Sequence, residues 1–465
     1  MDTARPAAPV PEAAAAVHPV DELLSAPGLL AYGLQHIAAM YAGVVAPPLI
    51  VGAACGLSTA DLTVLIGAAL LTSGLATLLQ TLGIWKVGSR LPFVNGISFA
   101  GVAPMVAVAK TAHPGQALPV IYGGILVAGV AAFFAAPYFG RLNRFFPPVV
   151  SGTVITLIGL SLFPVAANWA EGGDPGARDF GSVSDIGLAG ITLAVVLLLN
   201  RFLSGFLRSI SILLGLLVGT LAAIPLGRTD FGQFSHVPVF AVPSPFHFGA
   251  PQFQVAAIIS MLIVMLVSMT ESTADMLALG EIVDRPADQA VITAGLRADG
   301  AATAVAALLN GFTATAFAQN IGLVALTGIR SRFVVATSGL VLVLLGLFPV
   351  AGAVVNVVPQ PVLGGAGLAL FGTVAASGIR TLTRARLDQN GNLLIVAVAI
   401  GFGVLPICAP NFYSAFPQAV QTVMDSGISA GCLVAILLNL MFNHLGRGAA
   451  EEPAPRPEPV LEPAG

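Results

Sequence analysis

Stretches of about twenty apolar residues follow one another along almost the whole chain, with only short polar connections between them. A bilayer core is about 30 Å thick and a helix rises about 1.5 Å per residue, so each stretch is the length of one crossing. The spacing predicts spans at residues 29–55, 62–82, 93–109, 118–138, 147–168, 184–203 and 209–227. A second set follows at 255–279, 290–310, 314–329, 332–357, 361–381, 391–408 and 428–445. Composition agrees: 56% of residues are hydrophobic and 9% charged, where soluble domains carry roughly a quarter charged. The chain therefore reads as an all-α polytopic membrane protein with fourteen transmembrane spans.

Lys and Arg collect in cytoplasmic loops. With the amino terminus inside, sixteen of the 19 basic residues fall in cytoplasmic connections or tails, and only Lys110, Arg178 and Arg228 fall outside. A span misplaced early would exchange the sides of every later loop, so this agreement supports both the number of spans and two cytoplasmic termini. Residues 1–27 are Ala/Pro-rich and lack a basic region followed by an apolar core, so they are expected to be a disordered cytoplasmic tail rather than a signal peptide. The Pro/Glu-rich residues 446–465 are expected to be a second such tail, leaving 28–445 as the membrane domain.

The sequence argues against several functions. An intramembrane enzyme needs a nucleophile with a base, or a metal set, and the chain has no HExxH, no GxSxG and no His/Cys cluster. Cys55, Cys408 and Cys432 are far apart with no CxxC, so they are expected to pack as small hydrophobes. No metal, cofactor or nucleic-acid partner is expected; the partners are membrane lipid and a small solute.

Two halves of seven spans place the second half upside down relative to the first, the inverted-repeat plan of many secondary transporters. The fifth spans open alike, with "PPVVSGTVITL" from Pro147 beside "PQPVLGGAGLAL" from Pro359. The third spans share a different oddity. "LPFVNGISFAGVAP" (91–104) and "FTATAFAQNIGLVALTG" (312–328) are short, rich in glycine and small residues, and carry Asn95 or Asn320 in the apolar run. Corresponding broken spans point to a midplane binding site, because non-helical backbone survives at that depth only where protein or a cavity covers it.

Four stretches, in order along the chain, carry a family resemblance. "AQNIGLVALTG" (318–328) resembles the signature of the nucleobase/ascorbate transporters, nucleobase:cation symporter family 2. "LQHIAAMYAG" (34–43), "GISFAG" (96–101) and "ESTADMLALGEI" (271–282) resemble its first, third and eighth helices, the last in the form of the purine-handling xanthine/uric acid branch. The resemblance implies a core domain of spans 1–4 and 8–11 (about 28–138 and 252–357) and a gate domain of spans 5–7 and 12–14 (about 147–227 and 359–445). It also implies short β-strands in spans 3 and 10, elevator-type movement and a homodimer. The signature ends here in Gly328, where many eukaryotic members have Arg, so their substrate ranges do not carry over.

The residue chemistry points the same way. A xanthine or urate ring offers alternating NH donors and carbonyl acceptors around a flat face; a carboxylate accepts two NH bonds, a carboxamide both donates and accepts, and an aromatic ring stacks. Glu271, Gln319 and Phe99 are those three types, with Ser98, Ala318 and Asn320 beside them on the broken spans as further substrate-facing candidates. Coupling needs groups that change protonation. Glu271, Asp275 one turn further on, Asp299 in the next span near Arg297, and His36 are the candidates for a proton path or its supporting network. The expected activity is proton-coupled purine uptake. The alternatives are a uracil-type pyrimidine permease of the same family, against which Asp275 and Gln319 argue, and an anion transporter of the same fold, whose site would favour basic groups over an acidic midplane.

Overall fold

The computed structural model describes residues 17–445 apart from 114, 143–145, 230–231, 233–237 and 390. The major helices of the first half are α1 (Ala26–Ala54), α2 (Thr59–Leu82), α3 (Val102–Thr111), α4 (Ala117–Ala135), α5 (Pro148–Ala170), α6 (Val183–Phe202) and α7 (Ser211–Ala223). Those of the second half are α8 (Val255–Ile282), α9 (Gln289–Leu308), α10 (Ala318–Thr327), α11 (Arg332–Leu347), α12 (Gln360–Leu382), α13 (Asn392–Cys408) and α14 (Gly427–Asn439). Strand β1 (Asn95–Ile97) precedes α3, and β2 (Ala314–Ala316) precedes α10. Fourteen segments thus lie in the expected order among the described residues, in an all-α polytopic membrane fold.

Local chemistry sets the ends of these helices. The Ser58 hydroxyl accepts from the Asp61 amide at 3.1 Å to cap α2, and the Asp288 carboxylate accepts from the Val291 amide at 2.8 Å to cap α9. Pro148 and Pro361 stand in the first turns of α5 and α12, where a missing NH costs nothing. Large apolar side chains such as Leu197, Leu217, Leu221, Leu344 and Leu437 remain exposed on the outside, as a lipid-facing surface requires.

The packing carries the inverted repeat. α2 lies against α11 and, in counterpart, α9 lies against α4; α1 with α11 answers α8 with α4; α6 with α7 answers α13 with α14. α5 and α12, counterparts of each other, pack along their whole length. Glycine permits this: a Cβ on Gly378 would lie 2.2 Å from the Thr156 amide nitrogen, and one on Gly159 would lie 2.4 Å from that of Ala375. Close backbone approach of this kind holds helices together where lipid offers no hydrophobic drive. The result is two groups of packed helices, α1–α4 with α8–α11 and α5–α7 with α12–α14, joined through few contacts.

Three expectations need correction. The span expected at 332–357 is bent by 80° between Arg332–Leu347 and Pro349–Asn356. Pro349 opens the second piece, and as the first residue of a new helix it cannot donate back into the old one. The last residues of the segment expected to be a free tail are held: Val20 is fully buried, Asp21 pairs with Arg285 (2.9 Å) and Arg332 (2.7 Å), and the Ser331 hydroxyl donates to the Glu22 carbonyl at 2.6 Å. The remaining tail residues, 1–16 and 446–465, lie outside the described residues. Of the three cysteines expected to be packed, Cys432 is buried, Cys55 is half-buried and Cys408 is exposed.

Candidate functional site

The two broken spans cross at the centre of the first group. β1 and β2 pair antiparallel with Asn95 opposite Ala316, Gly96 opposite Thr315 and Ile97 opposite Ala314. β2 leads through Phe317 into α10, and β1 leads through Ser98 and the 3₁₀ turn Phe99–Gly101 into α3, so the amino end of α10 starts from the paired strands, with backbone NH groups and a positive dipole end at that level. Phe317 locks the crossing: its ring lies against Gly96 and Gly43, where added Cβ atoms would come within 2.2 and 2.6 Å of it. Any side chain at Gly96 would push the strand off the ring.

A cavity of about 410 Å³ opens beside the strands. One wall comes from the first group, through Phe99, Glu271, Asp275, Thr315, Ala318 and Gln319. The other comes from the second group, with Ile155 and Ile158 on α5 and Thr373, Ser377, Arg380, Thr381 and Arg384 on and just beyond α12. Five of the candidate residues, Glu271, Asp275, Gln319, Ala318 and Phe99, are therefore brought together in one place. Phe99 stands edge-on to Phe371 of α12, with centroids 6.1 Å apart and planes at 71°, so its ring is braced from the second group. A further cavity of about 310 Å³ shares Phe317, Gln319 and Thr373 and passes the small-residue face of α1 (Ala38, Ala39, Ala42) toward Arg208.

Four candidates lie elsewhere. Asn320 is buried and turned away, its Nδ2 donating to the His36 carbonyl at 3.0 Å and meeting His36 Nδ1 at 3.0 Å. His36 and Asn320 thus tie α10 to α1, and neither lines the cavity. Ser98 is fully buried, its hydroxyl 2.9 Å from that of Ser268 on α8. Asp299, expected near Arg297, is fully buried, and its Oδ1 accepts from Asn95 Nδ2 at 2.6 Å and Gln80 Nε2 at 2.8 Å. Arg297 instead lies over the Phe133 ring, 6.0 Å from its centroid. The direction of each residue depends on how a short segment is rotated, which polarity alone does not reveal.

Two features escaped the sequence reading. Gln80 of α2 is a buried hub that also donates to the Gly295 carbonyl at 2.8 Å and accepts from the Ser89 amide at 3.0 Å. Thr77, one turn earlier, donates to the Asn95 carbonyl at 2.9 Å and accepts from its amide at 3.1 Å, fixing β1 to the helix. The second feature is the α12 wall. Thr373, Ser377, Arg380, Thr381 and Arg384 recur at helical spacing and make a polar stripe on an otherwise apolar helix, a pattern legible in "TVAASGIRTLTR".

The cavity thus presents carboxylate acceptors, a carboxamide that donates and accepts, an aromatic ring and the amino end of α10. Those groups suit a flat, uncharged or singly charged heterocycle. Residues 27–412 match the Xan_ur_permease model, described as Permease family. The chain belongs to that permease family. It is the family of nucleobase/ascorbate transporters that the four motifs resemble.

The permease is 41% identical over 414 residues to a xanthine permease of Bacillus subtilis, covering 89% of this chain and 93% of the relative. It is 43% identical over 417 residues to the uric acid permease PucK of the same organism, covering 89% and 95%. A uric acid transporter of Escherichia coli, UacT, is 40% identical over 426 residues, covering 91% and 88%. Among solved structures, the transmembrane domain of the cyanobacterial bicarbonate transporter BicA superposes with TM-score 0.54 at 15% identity, covering 90% of the permease and all of that chain. Murine Slc26a9 in an inward-facing state gives 0.59 at 12%, covering 90% and 68%. At such identities the likeness is one of fold alone.

Proposed function

We propose that the permease takes up an oxopurine such as xanthine or uric acid together with protons. One observation carries the reading: Glu271, Gln319 and Phe99 face a single cavity, where they can accept ring NH groups, pair with a ring carbonyl and contact the ring face. Relatives named for xanthine and uric acid, at 40 to 43% identity over nearly their full length, favour the same substrates. The α1–α4 and α8–α11 group is the moving core, and the α5–α7 and α12–α14 group is the gate against which it slides as an elevator. The few contacts between the groups support such a movement. Glu271 and Asp275 face the cavity and are the carboxylates that take up and release protons, whereas Asp299 orients β1 from behind.

The permease sits in the cell membrane as a homodimer with both termini cytoplasmic. The distribution of basic residues supports this orientation, as does the contact of the amino-terminal Asp21 with Arg285 and Arg332. Uptake of labelled xanthine, urate, uracil and ascorbate into proteoliposomes under an imposed pH gradient tests the proposal. Xanthine or urate should accumulate when the outside is acid, and neither uracil nor ascorbate should compete effectively. Uracil competing as well as xanthine overturns the purine reading, and accumulation indifferent to the pH gradient overturns proton coupling.

A further inference from the structure

We infer that Arg380 of α12 is a positioning residue that takes over the Asp275 carboxylate when the cavity opens toward Arg384, and so completes proton release on that side. The inference rests on the proton-coupled reading above. Asp275 stands on α8 in the first group of helices, and Arg380 stands on α12 in the second, with the cavity between them. The charged groups around Asp275 are Glu271 on its own helix, Asp299 on α9, and Arg380 and Arg384 from α12. Two neighbours on its own side of the cavity are therefore acidic, and the cations come only from the opposing group. Arg380 and Asp275 line the same cavity from opposite walls, yet among the described residues no salt bridge at contact distance engages either of them.

A carboxylate at membrane depth needs either a proton or a counter-cation. If the first group moves relative to the second, Asp275 leaves Arg380 and can stay buried only by carrying a proton. When it returns, the guanidinium supplies the missing charge, the proton passes from the carboxyl to cavity water, and the carboxylate is left facing Arg380. Proton release is thereby tied to one conformation. Ser377 and Thr381, on the same stripe, keep the path between the two groups polar.

Net uptake must release the proton inside, whereas exchange of labelled for unlabelled substrate lets the carrier return still protonated. In proteoliposomes, Arg380→Gln should therefore slow gradient-driven xanthine accumulation by about tenfold or more while exchange stays within about twofold and KM is unchanged. Arg380→Lys, which keeps the charge, should recover most of the net rate, and an alkaline interior should partly rescue Arg380→Gln by drawing the proton off. Net uptake and exchange falling together would place Arg380 in substrate binding or folding and overturn the inference, as would an unchanged net rate. A parent protein that neither accumulates nor exchanges an oxopurine overturns the transport reading and this inference with it.

Discussion

Two sets of polar groups lie within the apolar interior around the same pair of strands, one bordering the cavity and one packed away from it, and they differ in what satisfies them. On the cavity face, Glu271, Asp275 and Gln319 border open space. Away from the cavity, Asp299, Asn95, Gln80, Asn320 and His36 are almost entirely buried and hydrogen-bonded to one another or to backbone. In hydrocarbon an unsatisfied polar group costs several kcal/mol, about the same on either face. The rear set meets most of that cost with protein partners, the Asn95 and Asn320 side-chain oxygens being buried without one. The front set has room to meet it with a ligand or a proton, so an unfilled hydrogen-bonding capacity beside a cavity, rather than polarity at membrane depth, distinguishes transport chemistry from architecture.

The comparison breaks most sharply at Glu271. Glu271→Gln preserves volume and adds no charge, so the carrier should reach the membrane at parental levels. It removes an anionic acceptor beside Gln319 and Phe99 and a proton site with it, and gradient-driven uptake should vanish. Surface quantification beside labelled uptake checks both halves, and substantial residual transport would move Glu271 to the architectural set.

The opposite pattern is expected at Asp299. Its Oδ1 receives two NH donors, so Asp299→Asn weakens a charge-assisted pair of bonds and turns an amide NH₂ toward buried donors or apolar surroundings. That costs about 1–3 kcal/mol of stability, seen as a lower thermal midpoint and reduced surface level. The molecules that do fold should bind substrate with parental affinity. A normally stable variant with lost coupling would place Asp299 on the proton path itself.

Apart from Gln80, the sequence makes the two sets equally visible, and this is where its information runs out. Span number follows from apolar length, a local property, and the paired broken spans follow from glycine and asparagine in otherwise apolar runs. The direction of Asn320, Asp299 and Ser98 is not local, because it depends on how β1, β2 and α10 are rotated against α1, α8 and α9. The bend at Pro349 is masked by the apolar run continuing through it. The α12 stripe is easily passed over for a related reason: Thr373 and Thr381 return their hydroxyls to carbonyls of their own helix, at 2.6 and 3.1 Å, and such residues are compatible with lipid.

The finest test lies within one dipeptide. Gln319 and Asn320 are adjacent carboxamides at the start of α10, and the helix turns one toward the cavity and the other toward His36. Replacing each amide by the carboxylate of the same size should produce opposite failures. In Gln319→Glu the donor is lost on the ligand side, so a substrate carbonyl faces an acceptor, a mismatch of about 1–3 kcal/mol. Affinity should fall roughly tenfold to a hundredfold, or the preferred substrate should change, while thermal stability stays near the parent's. In Asn320→Asp the donor is lost on the protein side, and the His36 carbonyl is left against an anion in a site that excludes water. Stability and surface level should fall first, with the surviving molecules keeping the parental substrate order; here His36 could be charged to compensate, and the double variant Asn320→Asp with His36→Gln would remove that route and deepen the loss. Binding, thermal midpoint and surface level measured on both single variants decide the matter. If Gln319→Glu unfolds the protein while Asn320→Asp only weakens binding, the two faces have been assigned the wrong way round.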